Sequence, residues 1–145
     1  MILLQRNKIH SLEDDVNDYV AVKVRNPNFP NESIPINSFL QHTSGLNDQE
    51  IFNYVEGEEI PSLEEYVKEF LTINGKLKGN WSKEKPIKYW YSNAGVTFLG
   101  YLIEQVSGQS FIEFVQKEIF DVLDIRTANW VAAKLDKRIL VTNYE

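Results

Sequence analysis

A chain of 145 residues, 43% apolar and 25% charged, is long enough for one domain with a sizeable core and has an ordinary globular balance. Its 21 acidic residues outnumber 15 basic ones for a net charge of -6, which argues against a nucleic-acid partner and against attraction to anionic membranes, because both need a basic face. The absence of cysteine excludes disulfides, thiolate-bound zinc and a cysteine nucleophile, and two distant histidines, His10 and His42, argue against a multi-histidine metal site. No metal or other cofactor is expected.

The opening "MILLQRNKIH" has too short an apolar run for a signal peptide or a membrane span. Residues 1–6 read as the tail of a helix, apolar at Ile2, Leu3 and Leu4 and closed by Asn7-Lys8. "SLED", from Ser11 to Asp14, begins a turn or short helix reaching Tyr19. Between Val20 and Ile36, Pro27, Pro30 and Pro35 remove donors and restrict φ, so extended loop is expected. Ile36, Phe39 and Leu40 then follow i, i+3, i+4 spacing, a helix of one or two turns. It stops at "HTSG", where Gly45 suits the left-handed conformation that ends helices.

Ser62-Leu63-Glu64-Glu65 is a capping box, and the stripe Leu63, Tyr66, Val67, Phe70, Leu71 predicts a helix over 63–73 closed by Asn74-Gly75. The lysine-bearing stretch 75–88 reads as a solvated loop. Leu99, Leu102, Ile103 and Val106 predict a helix over 94–106 with one buried face, ended by Ser107-Gly108. Ser110 to Glu113 is a second capping box, opening a helix to about Phe120. In the last stretch, "NWVAAKLDKRILVTNYE", Ile139-Leu140-Val141 has the composition of a strand but no partner strand. The chain therefore reads as mainly α, helices and long loops with little material for a sheet. Its first residue falls inside a helix and its final apolar segment points beyond Glu145, so both ends are expected to be cuts in a larger fold.

"KYWYSNAG", from Lys88 to Gly95, sets aromatic residues before a helix start. Two readings apply. Asn93 is the N-cap of the 94–106 helix with Tyr91 packed against it, or Tyr91 and Asn93 serve chemistry at the positive end of the helix dipole. Tyr-x-Asn is too short to decide between them.

The wider sequence decides. "LQHTSGL" (Leu40 to Leu46) and "YSNAGVTFLGYLIEQVSGQSFIEFVQKEIFDVLDI" (Tyr91 to Ile125) resemble the serine β-lactamase-related family of class C β-lactamases, D-alanyl-D-alanine carboxypeptidases, penicillin-binding proteins and esterases. "RNKIHSLEDDVNDYV" resembles the segment that follows the family's nucleophile-bearing helix. The resemblance covers nearly the whole chain. It implies the helical region of the β-lactamase/transpeptidase-like fold, lacking most of the α/β sheet region, so that residues 1–145 form one partial domain.

The resemblance also implies a chemistry. In the family, a serine in Ser-x-x-Lys attacks an amide or ester carbonyl, and the Lys and the Tyr of Tyr-x-Asn manage its proton. Carried over by position, Tyr91 is the general acid/base, Asn93 binds the substrate amide and orients the Lys, and Ser92 is the spacer. The substrates implied are peptide-like, β-lactam or ester small molecules, and family members commonly work at the cell envelope. His42 and Ser44 of "HTSG" invite a nucleophile reading, but two residues of separation puts side chains on different faces, so both are expected to be structural.

Ser-x-x-Lys itself occurs only as "SKEK", Ser82 to Lys85. It sits in a charged loop, lies after "HTSG" where the family order demands the nucleophile before it, and is followed by Pro86, which disfavours helix at Lys85. The edge-strand motif Lys-Thr-Gly or His-x-Gly is absent, and Val122-Leu123-Asp124-Ile125 stands where the family commonly has Pro-Leu-Gly-Met. The expectation is a partial serine hydrolase, inactive alone. Its rivals are a non-catalytic helical peptide-binding or regulatory module, and one piece of a split hydrolase that self-associates or joins a missing half.

Overall fold

Helices dominate the computed structural model, which describes residues 1–47, 61–85 and 88–130 together with Leu135 and Arg138. In chain order they are α1 (Ile2–Gln5), α2 (Ile36–Leu40), α3 (Leu63–Tyr66, widening into a π-helical turn over Val67–Leu71), α4 (Asn93–Ser107) and α5 (Phe111–Val115, widening likewise over Gln116–Phe120). Tight 3₁₀ turns occupy Val16–Asp18 and Lys76–Asn80. Among the described residues no strand forms; antiparallel pairing is limited to single bridges, Asp15 with Pro35 and Leu46 with Trp81. The strand composition at Ile139-Leu140-Val141 lies outside the described residues.

α4 is the axis of the molecule, touching α1, α2, α3 and α5. Its C-terminus is the one the sequence implies: Gly108 adopts φ 71° and donates its N–H to the Glu104 carbonyl at 2.9 Å. Its deepest face is not. Phe98 and Tyr101 are fully buried beside Leu102, whereas Leu99, Ile103 and Val106 are only partly buried. A helix covered from several sides has more than one inward face, so the aliphatic stripe marks only part of the burial. Phe98 stacks at 4.7 Å on Phe39 of α2, and the Tyr101 hydroxyl accepts from the Val22 N–H at 3.3 Å. Burial pushes the Tyr101 hydroxyl pKa upward.

The loops are held by side chains that replace ladder hydrogen bonds. Asn17 is buried and exchanges two 2.7 Å bonds with the backbone of Val24, while Asp15 accepts from the Asn17 N–H and pairs with Arg25. Arg6 grips Glu118 through two bonds of 2.8 and 2.6 Å, tying the end of α1 to the end of α5.

Two expectations change. The 75–88 stretch is not simply solvated: Leu77, Asn80, Trp81 and Ser82 are buried between exposed lysines. The Ser82 N–H reaches the Gly45 carbonyl at 2.7 Å, and the Asn26 amide reaches the Ser82 carbonyl at 3.0 Å, so this stretch is stitched to "HTSG". A charged run conceals single inward residues when no period repeats them. α3 also stops earlier than expected, at Leu71 rather than Ile73, and Thr72, not Asn74-Gly75, is its C-cap. Gly75 is required by space: a Cβ there would lie 2.5 Å from the Phe70 carbonyl oxygen.

Candidate active site

The chain approaches α4 in extended form, with Tyr89, Trp90 and Tyr91 exposed and Ser92 buried to 1%. Ser92, not Asn93, is the N-cap: its hydroxyl accepts the Gly95 N–H at 3.0 Å, and Asn93 is the first residue of the helix. Ser92 is therefore more than a spacer between Tyr91 and Asn93. Tyr91 does not pack into the core either; it is 55% exposed, and its hydroxyl donates to Asn93 Oδ1 at 3.1 Å. A phenol and a carboxamide thus meet at the solvent edge of a helix N-terminus, where backbone N–H groups and the dipole favour developing negative charge.

His42 closes this arrangement from across the fold. α2 delivers it: Phe39 is locked against Phe98, the helix ends at Leu40, and His42 then turns the chain with φ 56°. Its backbone carbonyl accepts the Trp90 N–H at 2.8 Å, and its Nδ1 accepts the Ser92 N–H at 3.2 Å. The imidazole lies 4.7 Å from the Tyr91 ring and meets the Tyr89 ring edge-on at 5.7 Å. Reading "HTSG" as structure rather than nucleophile agrees with the geometry, because Ser44 is buried with its hydroxyl accepting from the Leu46 N–H at 3.4 Å. Gly45 has a left-handed φ of 83°, but it does not end α2, whose C-cap is Gln41. The link from His42 to Ser92 spans fifty positions and carries no sequence motif. Its only trace is Gly95, which leaves α4 without the glutamate of a capping box.

Ser82 and Lys85 have no helix beneath them. The Ser82 hydroxyl donates to the Glu84 carbonyl at 2.9 Å and accepts the Glu84 N–H at 3.1 Å, a closed local turn, while Lys85 is exposed. Among the described residues no group of three His, Asp or Glu is disposed to hold a metal ion, and no helix is long and apolar enough to cross a membrane. Beside the first turns of α4 runs an apolar groove of about 530 Å³, walled by Leu63, Val96, Gly100, Phe111, Ile112 and Trp130.

Residues 1–144 match the family model described as Beta-lactamase. The chain is 32% identical over 123 residues to penicillin-binding protein 4* of Bacillus subtilis (strain 168), an alignment covering 83% of this chain and 25% of that protein. Among solved structures, the octameric penicillin-binding protein homologue from Pyrococcus abyssi superposes with a TM-score of 0.68 at 24% identity, covering 92% of this chain and 30% of that one. A penicillin-binding protein from Bacillus halodurans gives 0.63 at 25% identity, covering 86% and 35%. The chain thus spans between a quarter and about a third of the length of these relatives. The helices around α4 are the helical portion of the β-lactamase/transpeptidase fold, and the chain belongs to the Beta-lactamase family.

Proposed function

We propose that residues 1–145 form one partial domain of an acyl-serine hydrolase acting on β-lactam, peptide-like or ester substrates, with Tyr91 as general acid/base and Asn93 holding the substrate amide and the catalytic lysine. The observation that carries this is the Tyr91 hydroxyl donating to Asn93 Oδ1 at 3.1 Å on the exposed mouth of α4. Such a pair manages a proton but attacks nothing. The 145 residues hold no Ser-x-x-Lys before "HTSG", and Ser82 has its hydroxyl engaged in its own turn. The chain by itself is therefore a hydrolase part without its nucleophile.

The test has two arms. The isolated chain should hydrolyse nitrocefin and p-nitrophenyl acetate no faster than its Tyr91→Phe variant and form no covalent penicillin adduct by mass spectrometry. A stoichiometric acyl adduct on Ser82 would overturn the missing-nucleophile reading. Joined to a family nucleophile helix and sheet, the same chain should acylate, and Tyr91→Phe should then slow acylation by about 10²–10⁴-fold, the usual worth of a positioned acid/base. An unchanged rate would remove Tyr91 from the mechanism.

A second reading, association with another copy or with a missing half, is favoured by the apolar groove, where Val96, Ile112 and Trp130 are each about half exposed. Size-exclusion chromatography should show a species larger than monomer, and ANS fluorescence should rise on addition of the chain. A monomer without ANS signal would exclude it.

A further inference from the structure

We propose that His42 is a positioning residue for the Tyr91–Asn93 pair, acting as a neutral imidazole whose Nδ1 completes the N-cap of α4 through the Ser92 N–H. The proposal rests on reading Tyr91 and Asn93 as site residues, and its hydrogen-bond geometry is testable without that reading.

In a capping box the N-cap hydroxyl takes the N–H three residues on, and a Glu at that third position returns to take the N-cap N–H. α3 and α5 are built this way: Glu65 accepts the Ser62 N–H at 2.8 Å and Glu113 accepts the Ser110 N–H at 3.2 Å. α4 has only the first half. Ser92 takes the Gly95 N–H, but the third position is glycine and has no side chain to return. The position is close-packed: a Cβ would sit 3.3 Å from both the Phe39 ring and the Ser92 hydroxyl oxygen. The Ser92 N–H is the donor that this arrangement strands, and His42 Nδ1 is the acceptor that meets it, at 3.2 Å.

A backbone N–H can only donate, so Nδ1 must be unprotonated, which places the imidazole hydrogen on Nε2. His42 holds alternate N–H groups, Trp90 through its carbonyl and Ser92 through its ring, and its imidazole contacts the Tyr89 and Tyr91 rings. The residue between the two gripped N–H groups is Tyr91, and the residue after them is Asn93. Tyr91 is thus flanked on both sides, and Asn93 on one, by residues whose N–H groups His42 holds, and the two meet at 3.1 Å. The φ of 56° at His42 lies in the left-handed region, which is uncommon for residues with a side chain but enriched in Asn, Asp and His, so an Asn at this position keeps the backbone conformation accessible.

The test uses ¹⁵N NMR of the whole chain. Long-range ¹H–¹⁵N spectra should show His42 with Nδ1 unprotonated and Nε2 protonated. A His42 Nδ1–H tautomer would overturn the proposal, and this arm needs no variant to fold. His42→Asn sets a carbonyl oxygen near the place of Nδ1, His42→Gln sets its amide near the place of Nε2, and His42→Phe keeps a ring but has no acceptor. Hydrogen exchange at the Ser92 amide should quicken about tenfold in the Phe and Gln variants and return toward the parent value in Asn, the scale expected for one lost hydrogen bond. The Tyr91-ring to Asn93 side-chain cross-peaks should weaken in Phe and Gln and persist in Asn. Equal exchange in Phe and the parent, or altered exchange with unaltered cross-peaks, would overturn the positioning role. Because none of these readouts involves turnover, failure here is distinct from failure of the acylation test on Tyr91.

Discussion

The starts of α3 and α5 and the start of α4 solve the same problem by different means. The first two close their caps within four residues, at the surface, with a Ser and a Glu. α4 begins with a buried Ser92 and borrows its remaining acceptor from His42, fifty positions earlier. A local cap forms wherever its four residues become helical. A borrowed cap forms only once α2 has docked on α4 through Phe39 and Phe98, so the helix that carries Tyr91 and Asn93 at its mouth is aligned by the fold itself.

The comparison breaks most severely at Gly95. Gly95→Glu would install the missing residue of a capping box and improve α4 as a sequence. It should instead destabilise the chain by about 1–3 kcal/mol, because the new side chain overpacks the buried Phe39. Thermal or urea denaturation checks this; a stabilised variant would mean that the Phe39 contact does not constrain the site.

Removing the cap hydroxyls sharpens the contrast at intermediate scale. Ser92→Ala should cost about 1–2 kcal/mol, the upper range for an N-cap, since the Gly95 N–H it satisfies is buried. Ser62→Ala and Ser110→Ala, both at exposed starts, should cost about 0.5–1 kcal/mol. Equal losses at all three positions would erase the distinction drawn between them.

The smallest effect is one of pH. The Ser62 hydroxyl and then the Ser62 N–H hold the Glu65 carboxyl below the ordinary glutamate range, and Ser110 does the same for Glu113. A folded pKa below the unfolded one stabilises fully above the unfolded value, and that contribution is lost as pH falls through the lowered folded value. Both carboxylates are exposed, so fraying should be confined to the first turns of α3 and α5. The Ser62 and Ser110 amide resonances should both follow a carboxylate titration on acidification. Glu113→Gln should abolish the response at Ser110 alone, and a response that survived it would assign the titration to another group.

How much of this was legible in the sequence follows from how far each feature reaches along the chain. Both capping boxes, the Gly108 terminus and the proline-rich loop are statements about four to fifteen neighbouring residues, and the structure has them where the residues imply. The end of α3 is not legible because Asn74-Gly75 is a common stop signal, whereas Gly75 clears the Phe70 carbonyl after the helix has already ended. Leu77 and Trp81 were hidden in a lysine-bearing stretch because isolated buried residues create no period. Tyr91 and Asn93 stand out only through the family resemblance, and residue type does not tell whether Ser92 or Asn93 is the cap because both suit that position.

By itself the sequence determined that the chain is helical, where its helices begin, and that "YSN" stands at the mouth of one of them. Those properties are set by propensity, spacing and caps, whose interactions close within a turn or two of chain. Only the tertiary structure decided that Phe98 and Tyr101 lie deepest, that Gly95 sits close against Phe39, and that His42 supplies the acceptor at Ser92. These depend on which surfaces of α2 and α4 face one another, and burial and hydrogen bonding across fifty residues leave no local pattern to read.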